Sequence, residues 1–174
     1  MRSVVVALGA AAVGCAVLSG CASSVGVGAP TVSQDDLQRD ISDRLTKGGE
    51  KPDSVTCDAP LVGEVGKSTR CDVVMSVTNQ FQPVVTVVKV ENTTVSYEVH
   101  PAMSKRQLQD YISMWDTENG IRARSVSCDS GLDGAVGSVA YCDTDAPDGT
   151  FRSKVEVSEV DNLMMKLTMV PVQR

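Results

Sequence analysis

Apolar positions follow two spacings along this chain. Leu37, Ile41 and Leu45 recur every fourth residue, and Leu108, Tyr111, Ile112 and Trp115 recur at three and four. That spacing is one face of a helix. Ser33 and Ser104 stand where each helix would start, and their hydroxyls can accept from exposed first-turn amides. Asp36 and Gln107 follow three residues later, and the second pair forms a Ser-x-x-Gln capping box. Val32 and Met103 precede the caps as hydrophobic staples against Leu37 and Leu108. Gly48-Gly49 and Asn119-Gly120 tolerate left-handed geometry and end the helices.

The period then changes to two. A short strand is predicted around Cys57 and another around Cys128, each followed by a Gly-containing loop and a strand through Cys71 or Cys142. "VVTVVKV" (84–90) and "KVEVSEV" (154–160) supply a third strand, and "TVSYEV" (94–99) and "LMMKLTMV" (163–170) a fourth. Alternation puts Val85, Val87, Val95, Tyr97 and Val99 on one face. Val155, Val157, Met165, Leu167 and Met169 share the matching face of the second set. Glu91-Asn92 and Asp161-Asn162 read as two-residue hairpin turns, with Asn taking positive φ. The expected fold class is α+β: two tandem repeats, each one helix packed on a small antiparallel sheet of three to four strands with one disulfide.

The duplication is visible residue by residue. "CDAPLVGEVGKSTRCD" (57–72) returns as "CDSGLDGAVGSVAYCD" (128–143), an offset of 71. Between the cysteines the shared residues are Leu61/Leu132, Gly63/Gly134, Val65/Val136 and Gly66/Gly137, with Asp58/Asp129 beside the first cysteine. They are apolar or glycine, apart from the aspartate, and suit packing and tight turning rather than catalysis. Units of about 70 residues lie near the lower size limit for a stable core. With six aromatic residues in the whole chain, each unit gains from a covalent staple.

The N-terminus changes the setting. "MRSVVVALGAAAVGCAVLSGCASS" has one basic residue, an apolar middle and small residues at its end, the layout of a secretory signal. Its apolar run is short for a membrane span. Leu18-Ser19-Gly20-Cys21 resembles the lipobox of bacterial lipoproteins, which implies cleavage before Cys21 and a diacylglycerol on its sulfur. Plain secretion with cleavage near Ala22 is the alternative, and the sequence around Cys15 is a weaker lipobox. Residues 1–20 then form a lipoprotein signal peptide, 21–32 a flexible tether, 33–100 the first repeat and 101–174 the second. The protein would lie on the extracytoplasmic face of the cell membrane, held by lipid.

Without residues 1–20 the chain has 15 basic and 22 acidic side chains, net −7. That balance argues against nucleic acid and against a polybasic grip on anionic lipid. Four cysteines remain besides Cys21, and in an oxidising compartment they suggest two disulfides with three possible connectivities. A duplicated unit must close its own pair, which selects Cys57–Cys71 and Cys128–Cys142. Each closes a loop of roughly 15 residues, worth about 3 kcal/mol in the chain-entropy model.

The order of helix, Cys-Asp-x-x-Leu-x-Gly-x-Val-Gly, second cysteine and strands with a Val-acid-Asn turn resembles a domain of unknown function. That domain is common in actinobacterial, including mycobacterial, lipoproteins. The resemblance covers residues 33–99 and, less closely, 104–171. It implies an envelope lipoprotein and carries no activity, so it transfers no functional residues.

Catalytic chemistry is not indicated. His100 is the single histidine, placed between a strand and Pro101, and one histidine builds no zinc site with the thiols oxidised. No Gly-x-Ser-x-Gly or phosphate-binding glycine loop occurs. Asp143, Asp145 and Asp148 resemble the start of a calcium loop, but Pro147 shifts the register and Glu156 comes too late to close it. Pro147-Asp148-Gly149 reads instead as a turn. Tyr111 and Trp115 read as core, and Asn92-Thr93-Thr94 as a hairpin turn. No cofactor and no metal are expected. The expected function is a non-enzymatic, lipid-anchored binding or interaction module. Its partner would be an unspecified envelope protein, glycan or lipid. The alternative is an inhibitor of a secreted or envelope hydrolase.

Overall fold

The computed structural model of the protein describes residues 28–76 and 79–172. The expected signal segment, the expected lipidation site Cys21 and most of the expected tether lie outside these residues. The first half runs β1 (Thr31–Val32), α1 (Gln34–Lys47), β2 (Ser54–Cys57), β3 (Leu61–Val62), β4 (Ser68–Val74), β5 (Gln80–Phe81), β6 (Val84–Glu91) and β7 (Thr94–His100). The second runs β8 (Ala102–Met103), α2 (Lys105–Glu118), β9 (Ser125–Cys128), β10 (Leu132–Asp133), β11 (Val139–Ala146), β12 (Gly149–Asp161) and β13 (Met164–Pro171). The architecture is α+β and rich in antiparallel sheet.

Both helices start as their sequences dictate. Ser33 accepts from the Asp36 amide at 3.2 Å. Ser104 accepts from the Gln107 amide at 3.3 Å, and Gln107 Oε1 accepts in return from the Ser104 amide at 2.9 Å. Both ends turn through left-handed glycines, Gly49 at φ +93° and Gly120 at φ +76°. The amides of Glu50 and Ile121 then close the last turns on Leu45 and Asp116 carbonyls.

One sheet has the order β2-β4-β6-β7 with β5 also beside β4, and the other β13-β12-β11-β9. In each, the cysteines are direct cross-strand partners and are bonded, Cys57 to Cys71 and Cys128 to Cys142. A single proline accounts for the main difference between the sheets. Pro83 has no amide to return to Cys71, and the strand is broken into β5 and β6. Ser153 holds the matching place, and β12 runs unbroken for 13 residues. The offset falls from 71 to 70 because the turn Ala146–Gly149 is a residue shorter than the Met75–Asn79 loop.

Three features depart from the sequence reading. Thr31 and Val32, assigned to the tether, pair with Val62 and Leu61 as β1. The hairpin loops are Asn92-Thr93 and Asn162-Leu163, one residue later than expected, and both asparagines have φ +54°. Register shifts after Val87 and Val157 set that pairing. His100, expected between a strand and Pro101, instead ends β7 itself, as an exposed residue 3.2 Å from Glu98.

The core is continuous across both halves. Leu37, Ile41 and Leu45 of α1 and Leu108 and Ile112 of α2 are fully buried, against Val85, Val87, Val155 and Val157. Each such side chain contributes about 1.5–3 kcal/mol relative to exposure. Among the described residues no helix is long and apolar enough to cross a membrane.

Candidate interaction surface

Strand alternation sends every second side chain of β11, β12 and β13 away from the core. Tyr141, Lys154 and Val170 form one cross-strand row, and Val139, Glu156 and Thr168 the next. Asp143 pairs with Arg152, whose carbonyl accepts from the Val172 amide. Val139, Tyr141, Val170 and Val172 are all exposed large apolar residues, Val170 to 55%.

Charges fix the geometry of this face. The Arg152 guanidinium lies 5.2 Å from the Tyr141 ring centroid, within cation–π range. It also reaches Asp143 at 3.0 Å and Asp129 at 3.8 Å. The Tyr141 amide donates to Asp129 at 2.9 Å, and that bond, aided by Arg152, holds the Asp129 carboxyl below its ordinary range. Lys154 bonds Glu156 at 2.6 Å, which pushes the lysine up. Tyr and Arg rigidly held among valines are the residue types enriched where proteins bind one another. The sequence analysis assigned no role to Tyr141 or Val139. Their outward phase on β11 was the available signal.

The corresponding face of the first sheet is polar and partly covered. Arg70, Asp72, Gln82 and Val84 replace Tyr141, Asp143, Arg152 and Lys154. Gln82 and Gln107 both donate to Asp72, at 3.1 Å and 3.4 Å, so the start of α2 lies over this face. The Gln82 amide bonds the Ala102 carbonyl at 2.6 Å.

The shared motif serves the backbone. Leu61 and Leu132 are buried. A side chain at Gly63 would come 2.5 Å from the Pro30 carbonyl, and Gly134 meets Pro101 in the same way. Gly66 and Gly137 have φ +87° and +88°, as the third residue of a type II turn requires. Val65 and Val136 depart from the packing expectation. They are 69% and 65% exposed at the turn apex. Bonds from the Gly66 and Gly137 amides to the Val87 and Val157 carbonyls tie each turn to its sheet.

At the other end of the second half a cleft of about 570 Å³ opens between the end of α2 and the β11–β12 turn. Phe151, Ile121 and Pro147 give it an apolar wall, and Arg122 and Asp148 a polar rim. The matching Phe81 is buried, beside Met103, Tyr111 and Leu163 of the second half. Behind Phe151, Thr144 donates at 3.0 Å to Asp116, which is fully buried. Burial raises the Asp116 carboxyl above its ordinary value, and the Thr144 bond offsets part of this. Leu45 and Val73 hold these two positions in the first half.

Other singled-out residues have structural partners. Tyr97 donates to Asp40 at 3.1 Å, and burial with that neighbour pushes its hydroxyl up to about 12. Asp143 and Asp145 face Arg152 and Arg124, and Asp148 lies in the turn before β12. Tyr111 and Trp115 are half-buried. Among the described residues no three His, Cys, Asp or Glu side chains converge on a metal position.

Over residues 16–92 the chain is similar to the Domain of unknown function (DUF4333). The matched segment ends at the β6–β7 turn, so it spans most of the first half. No curated protein matches the chain, and no solved structure does.

Proposed function

We propose that this protein is a non-enzymatic, lipid-anchored envelope lipoprotein of actinobacterial type, built from two copies of one disulfide-stapled module. Its binding face is the outer surface of the second sheet. The observation that carries this reading is the contrast between matching faces. Gln107 of the second half bonds Asp72 on the first sheet, while on the second sheet Tyr141 stays exposed among valines with the half-buried Arg152 over its ring. Repetition of caps, disulfides and glycine turns at an offset of 71, and of bulges and hairpin turns at 70, supports the two-copy reading. Leu18 to Cys21 supports the anchor.

The test uses the full chain in envelope preparations. Cys21→Ser should release it from membranes. Tyr141→Ala combined with Val170→Asp should leave it anchored and remove the components that co-purify from detergent-solubilised envelope. An unchanged set of components would count against the face.

Inhibition of a hydrolase is supported by one separate observation. Val65 and Val136 stand exposed on rigid type II turns, a shape suited to entering a cleft. Val65→Asp and Val136→Asp should then abolish inhibition of secreted hydrolases while leaving the second sheet's partners bound.

A further inference from the structure

The contact between the halves is a template for contact between chains. Three places define it. Arg70 and Asp133 line both grooves at the junction. Gln82 and Gln107 both donate their side-chain amides to the Asp72 carboxylate. Val84 and Ala135 line the smaller groove, of about 340 Å³.

Each place has a counterpart on two surfaces that do not meet within one chain. On the outer face of the second sheet, Tyr141, Asp143 with Arg152, and Lys154 replace Arg70, Asp72 with Gln82, and Val84. At the N-terminal end of the first half, Val62, Asp36 and Glu64 replace Asp133, Gln107 and Ala135. The chemistry changes on both sides together. The charged residues Arg70 and Asp133, which line the same grooves, become Tyr141 and Val62, apolar and exposed to 37% and 40%. The amides of Gln82 and Gln107, which share Asp72, become the guanidinium of Arg152 and the carboxylate of Asp36, with Asp143 in the place of Asp72, so that the guanidinium would stand between two carboxylates. The neutral Val84 and Ala135 become Lys154 and Glu64. Aromatic is matched with aliphatic once, and cation with anion twice.

We propose that the outer face of the second sheet takes the N-terminal end of a second copy of this chain, in the arrangement by which the first sheet takes the second half. This rests on the reading of that face as the binding face. The two surfaces differ, so the contact is head-to-tail and extends into a row of copies rather than closing as a two-fold dimer. Arg152 can serve a third carboxylate, because a guanidinium has five donors and Asp143 and Asp129 each approach one of its terminal nitrogens. A chain of net charge −6 repels its copies at low ionic strength. Physiological salt screens that repulsion beyond about 8 Å and leaves close pairs in place. Those pairs set the register, and Tyr141 against Val62 supplies the apolar centre.

The experiment places a photo-activated benzoylphenylalanine at position 141 of the full chain in its native envelope. The expected product has twice the chain mass, with the cross-linked peptide containing Val62. Lys154→Glu alone, or Glu64→Lys alone, should lower its yield by about fivefold, and the two together in one chain should restore it. Arg152→Glu and Asp36→Arg repeat the exchange at the second pair; Glu64 is preferred because Asp36 also caps α1. An adduct with another protein would overturn the second copy and leave the binding face standing. A self-adduct mapped to the second sheet, or no recovery in the double variant, would also overturn it. No adduct of any kind would remove both readings.

Discussion

Asn162, at the tip of the β12–β13 hairpin, donates its side-chain amide to the carbonyl of Arg44 in the last turn of α1, at 2.9 Å. A residue of the second half thus clasps the helix of the first, 118 positions away. The same asparagine holds φ +54° to turn its hairpin, as Asn92 does in the first half. Within the second hairpin loop the next residue, Leu163, is buried, whereas Thr93 at the matching place is exposed. Between these hairpins, matching backbone geometry is combined with a clasp recorded for Asn162.

Replacing either asparagine with glycine separates the two roles. Glycine keeps the positive φ and removes the side chain. Asn92→Gly should leave urea unfolding nearly unchanged. Asn162→Gly should lower stability by about 0.5–1.5 kcal/mol, the net worth of one hydrogen bond. Equal effects at both positions would show that the clasp contributes nothing.

The two glycines of each motif should respond differently. Gly66 and Gly137 have open space where a side chain would go, so alanine there costs only left-handed strain, about 1–2 kcal/mol. Gly63 and Gly134 are enclosed by the Pro30 and Pro101 carbonyls, and alanine there must push β3 from β1, or β10 from β8. Thermal midpoints should therefore fall further for Gly63→Ala and Gly134→Ala than for Gly66→Ala and Gly137→Ala. The reverse order would contradict the close approach.

Caps, stripes and cysteine pairing were legible in the sequence because each depends on neighbours within a few residues or on the repeat itself. Ser33, Ser104, Leu37 and Leu108 need only local chemistry to be placed. The proposed binding face was not legible for the opposite reason. Arg152 is recognisable as an anchor only once β11 and β12 are in register and Tyr141 lies beside it. Nor could the motif show that Val65 and Val136 point to water while Leu61 and Leu132 point inward, since all four are simply apolar letters there. Thr31 and Val32 read as tether because a two-residue strand leaves no period to detect.

Asp116 should make part of the stability depend on pH. Its carboxyl is raised by burial, so the folded protein keeps this proton to higher pH than the unfolded chain, which releases it near 3.8. Below that pH the group is neutral in both states and carries no penalty. As pH rises through 3.8 toward the raised value, the unfolded chain loses its proton first and stability falls. Asp36 and Asp129 act in the opposite sense. Their lowered values give stability that is lost as pH falls, so the whole profile mixes both trends. A difference isolates Asp116. Asp116→Leu with Thr144→Val installs the Leu45 and Val73 pair of the first half, which packs without a polar group. The double variant should be more stable than the natural chain at pH 7 by about 1–3 kcal/mol, the scale of a buried polar group without full compensation. The gap should narrow as pH drops to 4. Denaturant unfolding at both pH values measures it, and a gap that stayed flat or widened on acidification would mean that Asp116 does not hold its proton in the fold.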